Sequence, residues 1–230
     1  MLQGVMKAIC EKIPKTLLFL GLAGSGKDTQ ADLLCELCSG QKISTGGLAR
    51  NEKKNGTRLG KMAGEYMGKG LLIPDDLVYE ILRSNLLKFD KEKLWILTGV
   101  VRTIDQVPMF EDTLRSVGRK LDRVVFLELS EETIVHRLSR RRFCPKCGAT
   151  YHLDFEKSKK DGICDIDGEK LIQRNDDKPE IIKTRIREEK AVINEVLDKF
   201  EERGILIRVD GEPSIEKIHE ELVERLSNEG

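Results

Sequence analysis

The stretch Thr16–Gln30, "TLLFLGLAGSGKDTQ", decides the fold. Thr16–Leu20 is a short apolar run ending at a glycine, the pattern of a buried parallel strand. Gly21, Gly24 and Gly26 allow the backbone to turn tightly and to present successive N–H groups to an anion. In the following "DTQADLLCELCS", Leu33, Leu34 and Leu37 fall at helical spacing, so the positive end of a helix would face the same anion. Strand, glycine loop and helix form the setting in which a near match to G-x-x-x-x-G-K-[ST] predicts a phosphate-binding loop. Lys27 would supply a mobile charge for terminal phosphates. The match is imperfect: Asp28 follows Lys27, and the threonine arrives one position late, as Thr29.

Outward from this stretch, further buried strands are expected at "LWILT" (Leu94–Thr98), "RVVFLEL" (Arg123–Leu129) and "ILIRV" (Ile205–Val209). Helical patterns lie at about 103–116, 130–140, 179–203 and 213–227. The alternation predicts an α/β fold, a parallel sheet with helices on both faces. Residues 45–90 read as mostly helical, with a turn at "GKGLLIPDD" and Pro74 opening a fresh helix. Residues 141–176 hold cysteines, glycines and the alternating "ATYHLDF", which suggests hairpins around a metal. Both segments read as lobes inserted into one core.

Lys and Arg balance Asp and Glu at 40 each, so net charge does not favour nucleic acid or an anionic membrane as the main partner. No apolar run reaches the roughly 18–20 residues of a membrane span, and Glu11 and Lys12 precede the first apolar stretch. A cytoplasmic location is expected, and disulfides are rare in that compartment. Cys35 and Cys38 read as packing residues of a helix, and Cys10 carries no assignment. Cys144 and Cys147 ("CPKCG") and the pair Cys164-x2-Asp167 are different, being two chelating corners separated by residues 148–163. Tetrahedral zinc suits three thiolates and a carboxylate. Asp167 is preferred to Asp165, which adjoins Cys164, and His152 is the rival fourth ligand. Four protein ligands leave no open position, so the metal is expected to be structural.

"GSGKDTQ" resembles the "GxGKGTQ" loop of adenylate kinases and related nucleoside monophosphate kinases. "ISTGGLAR" (Ile43–Arg50) resembles that family's "ISTGDLLR", and Gly56–Val78 resembles its monophosphate-binding lobe. "TGVVRTIDQ" (Thr98–Gln106) is similar to its "DGFPRTxxQ". His136–His152 and Arg174–Ile186 resemble its lid and the helix behind it, and "VDGEPS" (Val209–Ser214) its last nucleotide-side loop. These motifs occur in family order over about residues 15–225. The resemblance implies a core of residues 1–43, 74–136 and 178–230, a monophosphate lobe at 44–73 and a lid at 137–177. Its metal-bearing lids use this cysteine spacing, with cysteine or aspartate last, which sets His152 outside the metal site.

The implied activity is reversible phosphoryl transfer from ATP to AMP, giving two ADP, with magnesium required and zinc holding the lid. On the ATP side the resemblance implies Gly24, Ser25, Gly26, Lys27, Asp28, Thr29, Arg137, Arg141, Thr150, Tyr151 and Pro213. On the AMP side it implies Thr45, Arg50, Leu71, Leu72, Ile73, Gly99, Val100, Val101, Arg102 and Gln106, with Arg174 and Arg185 reaching the phosphates being joined. The attacking phosphate oxygen is already an anion, so no general base is needed, and catalysis rests on positioning and positive charge. Arginines suit that work because each can grip phosphate bidentately without losing its charge. Catalytic roles are therefore expected for Lys27, Arg102, Arg137, Arg141, Arg174 and Arg185. A lid that closes only over substrate would keep water from taking the phosphoryl group. ATP and AMP are the expected partners of a monomer that binds neither nucleic acid nor membrane.

Three positions depart from the pattern. Gly47 stands where the family has aspartate, Asp28 replaces a glycine, and Thr98 replaces the aspartate of "DGFPR", which helps to position magnesium. Asp28 offers a carboxylate from another direction, and Asp176 and Asp177 offer two more near the lid hinge. The altered pocket wall at Ala49 and Val100 leaves UMP, CMP or GMP open as acceptor. A catalytically weakened nucleotide sensor or assembly protein is the second reading. A zinc-ribbon nucleic-acid binder, suggested by "RLSRRRFCPKC", is the third; the short basic run and the lack of an aromatic platform speak against it.

Overall fold

The computed structural model describes residues 2–69, 71–174 and 177–228. In chain order the elements are α1 (Leu2–Lys12), β1 (Thr16–Leu20), α2 (Lys27–Cys38), β2 (Gln41–Ser44), α3 (Thr45–Lys54), α4 (Arg58–Gly68), α5 (Asp75–Leu86) and β3 (Trp95–Thr98). They continue with α6 (Gln106–Ser116), β4 (Arg123–Glu128), α7 (Glu131–Ser139), β5 (Arg141–Phe143), β6 (Thr150–His152), α8 (Pro179–Glu202), β7 (Leu206–Asp210) and α9 (Ile215–Asn228). No helix among the described residues is long and apolar enough to cross a membrane.

The chain divides into two compact units. The first comprises residues 1–21, 26–128 and 192–230; the second comprises residues 22–25 and 129–191. The first is built on a parallel sheet of order β2-β3-β1-β4-β7. β1 lies in its middle, with Leu18 opposite Leu97 of β3 and Val124 of β4. Each residue of β1 is buried, because both faces of the sheet are covered. On one face Leu18, Leu20, Leu97, Val124 and Phe126 pack with Phe110 of α6 and Phe200 of α8. On the other, Leu17, Phe19, Ile96 and Val125 pack with Leu34 of α2 and Leu222 of α9. Burial on both faces is why these strands are continuous apolar runs and do not alternate. The connection from β1 runs past β3 to β2, and that from β3 runs back past β1 to β4, so the connections leave in opposite directions at the boundary between β1 and β3. That switch point, at the carboxyl ends of the strands, is where open α/β sheets bind ligands.

Within the same unit α3, α4 and α5 form a helical lobe with its own small core of Ala49, Ala63, Leu77 and Ile81. α4 lies against α3 in backbone contact: a Cβ at Gly60 would fall 2.1 Å from the carbonyl of Glu52. The second unit holds the antiparallel pair β5–β6, extended by a bridge from Phe143 to Ile172.

Two elements escaped the sequence reading. β2 is four residues long with one buried side chain, Ile43, too little for a period to register. α1 precedes the first strand and packs on α2 and α9, with Ile9 against the second core cluster. The cysteine reading also needs correction. Cys35 and Cys38 do pack against the second apolar cluster, but Cys38 also forms a disulfide with Cys10, joining α1 to the end of α2. The partners lie 28 residues apart on different helices, and only the fold of α1 brings them together.

Candidate active site

The loop after β1 has the shape an anion requires. Gly24 and Gly26 have φ of 82° and 89°, a left-handed conformation that glycine tolerates. At Gly24 a side chain would also strike Leu138, whose Cγ would lie 2.9 Å from the added Cβ. The Ser25 N–H is tied to the Leu22 carbonyl at 3.1 Å, and the Ser25 hydroxyl is buried with no hydrogen-bond partner among the described residues. An orphaned buried hydroxyl is rare in folded proteins and marks a place for a ligand atom. In the second unit the Ala23 N–H donates to Glu189 Oε2 at 3.3 Å, and Glu189 also lies 3.6 Å from the Arg185 guanidinium.

Lys27 opens α2, with Asp28 and Thr29 in the first turn. The Lys27 ammonium lies 3.9 Å from one oxygen of Asp28. The other oxygen of Asp28 accepts a 3.0 Å hydrogen bond from the Thr98 hydroxyl at the end of β3. Two of the three residues that break the sequence pattern are therefore in contact. The third has a local explanation. Ser44 caps α3 by accepting from the Gly47 N–H at 3.1 Å, and a Cβ at position 47 would lie 2.6 Å from that Ser44 oxygen.

Several of the residues expected on the acceptor side gather around the turn that follows β3. The Thr45 hydroxyl donates to the Gly99 carbonyl at 2.7 Å, joining the start of α3 to the end of β3. Tyr79 donates to the carbonyls of Val100 and Gln106, and burial pushes its phenol pKa up. Gln106 is committed at both ends: its oxygen accepts from the Arg102 N–H at 2.7 Å, and its amide nitrogen donates to Asp75 at 2.7 Å. Val100 and Val101 are buried. Arg50 and Arg102 are exposed, and neither side chain has a hydrogen-bond or ion-pair partner among the described residues. Leu71 and Leu72 are exposed, whereas Ile73 packs on the small core of the helical lobe. Pro213 sits half-buried in the loop after β7.

In the second unit the metal residues converge. The ligand atoms of Cys144, Cys147, Cys164 and Asp167 lie within 4.8 Å of one another. Each pair sits on a similar tight turn: Gly148 N–H donates to the Cys144 carbonyl and Gly168 N–H to the Cys164 carbonyl, both at 3.0 Å. Within the turns the sulfurs of Cys144 and Cys164 accept from the Cys147 and Ile166 N–H groups at 3.4 Å. The Cys147–Cys164 sulfur separation of 3.5 Å is close to the roughly 3.8 Å edge of a tetrahedron with 2.3 Å metal–sulfur bonds. The Glu169 N–H, donating to Asp167, heads the causes that hold its carboxyl down at about 2, so it is ionised as a ligand must be. Donor set and spacing fit a tetrahedral metal. His152 is not among them: one ring nitrogen accepts from the Asp154 N–H and the other bonds the Arg137 carbonyl.

Other residues of this unit have local employment. Tyr151 turns its hydroxyl to the Cys164 sulfur and the Asp165 N–H, while Thr150 is exposed. The Arg174 guanidinium lies 5.4 Å from the centre of the Phe143 ring. Arg141 makes a bidentate pair with Asp177, at 2.5 and 2.9 Å, and Asp177 is fully buried. The suggestion that Asp177 serves magnesium is thereby overturned, because its carboxylate is spent on Arg141. Asp176 lies outside the described residues. Asp177, Asp75 and Glu189 were missed as positioning groups because each acts on a partner distant in sequence.

A family model described as adenylate kinase matches residues 19–205. The chain is 40% identical over 213 residues to an adenylate kinase of Caldicellulosiruptor saccharolyticus, covering 93% of this chain and 99% of the relative. It is 39% identical to one of Caldicellulosiruptor bescii at the same coverage, and 37% identical to one of Staphylococcus epidermidis over 92% of this chain and 99% of the relative. With the glycine loop at the switch point and the turns that flank it, these likenesses lead to one conclusion: the chain belongs to the adenylate kinase family.

Proposed function

We propose how this chain's residues divide the work of its family's reaction, the reversible transfer of a phosphoryl group from ATP to AMP to give two ADP. The loop from Gly24 to Thr29 holds the donor phosphates: its N–H groups and the buried Ser25 hydroxyl bind phosphate oxygens, and Lys27 follows the charge of the transferred group. Arg50 and Arg102 bind the acceptor phosphate, on a platform fixed by the Thr45–Gly99 and Gln106–Arg102 hydrogen bonds. Their two exposed guanidiniums, with no side-chain partner among the described residues, are the observation that carries this reading. Unpaired arginines flanking a rigid turn are suited to a dianion that arrives with substrate. Arg137, Arg174 and Arg185 neutralise the phosphates being joined, and Arg141 joins them only by giving up its pair with Asp177. Thr150, Tyr151 and Pro213 border the donor, and the backbone of Leu71, Leu72, Ile73, Gly99, Val100 and Val101 borders the acceptor.

Magnesium, when bound with ATP, supplies charge neutralisation across the phosphates. Zinc bound by Cys144, Cys147, Cys164 and Asp167 orders residues 137–177 as a lid, and residues 44–73 act as the acceptor lobe. Both exclude water from the transferred group. A coupled ADP-formation assay with ATP, magnesium and each of AMP, UMP, CMP and GMP tests the reading. AMP is expected to give the highest kcat/KM, and Arg102→Ala to lower it about 100-fold. An Arg102→Ala enzyme with unchanged turnover, or no ADP from any acceptor, overturns it.

A further inference from the structure

Asp28 poses a problem of charge. It stands in the first turn of α2, directly after Lys27, in a loop whose shape is that of an anion site. Without ligand, an acid there complements the helix end. With a polyphosphate bound, the same carboxylate faces like charge, and the repulsion disfavours binding unless a cation lies between. One contact directs this side chain toward the sheet. Thr98, whose side chain is buried at the end of β3, directs its hydroxyl to one Asp28 oxygen at 3.0 Å. The other oxygen remains beside the Lys27 ammonium at 3.9 Å, and the side chain is about half exposed, 55%. One oxygen is fixed and the other is presented to the loop.

From this pair we infer that Asp28, held in place by Thr98, is the carboxylate this chain uses to seat the magnesium that accompanies ATP. The inference rests on the assignment of the glycine loop to the donor phosphates. Magnesium keeps most of its waters and is held by one or two carboxylates together with phosphate oxygens. A single carboxylate accepting hydrogen bonds from those waters is sufficient. Asp28 contacts the ion's shell, and Thr98 is a positioning residue that acts through it.

The test separates binding of ATP from binding of its metal. Calorimetric titration of the full-length chain with ATP, with chelator or with excess magnesium and without AMP, gives two dissociation constants whose ratio measures the contribution of the ion. Asp28→Asn is expected to bind metal-free ATP more tightly, by about threefold to tenfold, and magnesium-ATP more weakly, so that the ratio falls at least tenfold. Thr98→Val is expected to reduce the ratio less, by about threefold, without changing the affinity for metal-free ATP. Should Asp28→Asn fail to fold by circular dichroism, Thr98→Val carries the test. The double variant Asp28→Gly, Thr98→Asp is expected to restore the ratio. A ratio unchanged in both single variants, with ATP still bound, overturns the inference and leaves the donor-site assignment standing. If the unmodified chain binds ATP in neither form, that assignment fails and the inference falls with it.

Discussion

Gly47 and Glu52 illustrate how single positions in α3 serve the local fold before they serve chemistry. An aspartate at 47 would bring its Cβ to 2.6 Å from the Ser44 oxygen that caps the helix, so the serine hydroxyl would have to shift to accommodate it. Glu52 is buried and accepts hydrogen bonds from Thr57 at 2.5 Å and Asn85 at 2.9 Å, with Lys88 at 3.5 Å. The Thr57 bond, then the Asn85 bond, hold its carboxyl below the ordinary glutamate range. A depressed carboxyl stabilises the fold above its unfolded value, and the contribution is lost as pH falls through the folded value. Glu52→Gln should therefore destabilise the protein by about 1–3 kcal/mol at pH 7. Urea melts should show the gap from the unmodified chain shrinking below about pH 4.3. None of this was legible beforehand. A glutamate among the charged residues of α3 carries no sign in sequence that it is buried, because its partners arrive from α4 and α5.

Elements differ in how much of themselves they disclose. The strands β1, β3 and β4 were legible because burial on both faces leaves uninterrupted apolar runs, and the glycine loop because its conformation demands glycines at fixed offsets. The metal turns were legible for a similar reason, since each chelating pair is local and only the distance between pairs is set by folding. The Cys10–Cys38 disulfide had no such signal. Closing a loop of 28 residues between α1 and α2 should stabilise the protein by about 3–4 kcal/mol on chain-entropy grounds. Cys10→Ser is expected to melt at a lower temperature than the oxidised protein, and reductant should bring the two together. Cys35 lies one turn before Cys38, but burial pushes its thiol up to about 11. It stays protonated at neutral pH and is a poor competitor for the bond, since exchange needs the thiolate.

At the scale of the molecule, the two units depend on different forces. The sheet of the first is sandwiched between two apolar clusters. The β5–β6 region of the second has only Cys144, Cys164 and Leu171 as buried apolar groups, with Ala149 and Tyr151 against them. A core that thin would gain its order from a metal held by the four converging ligand residues. Chelation, or Cys164→Ser, is expected to abolish amide protection over 141–173 in hydrogen exchange while the strands of the first unit remain protected. Uniform loss of protection throughout would mean that the metal supports the whole fold.

The contact at Gly60 reaches further than its size suggests. At that point the two helices meet backbone to backbone, so any side chain at position 60 would push them apart. Arg50 lies on α3, so the close spacing of α3 and α4 at Gly60 also helps to set where its guanidinium is carried.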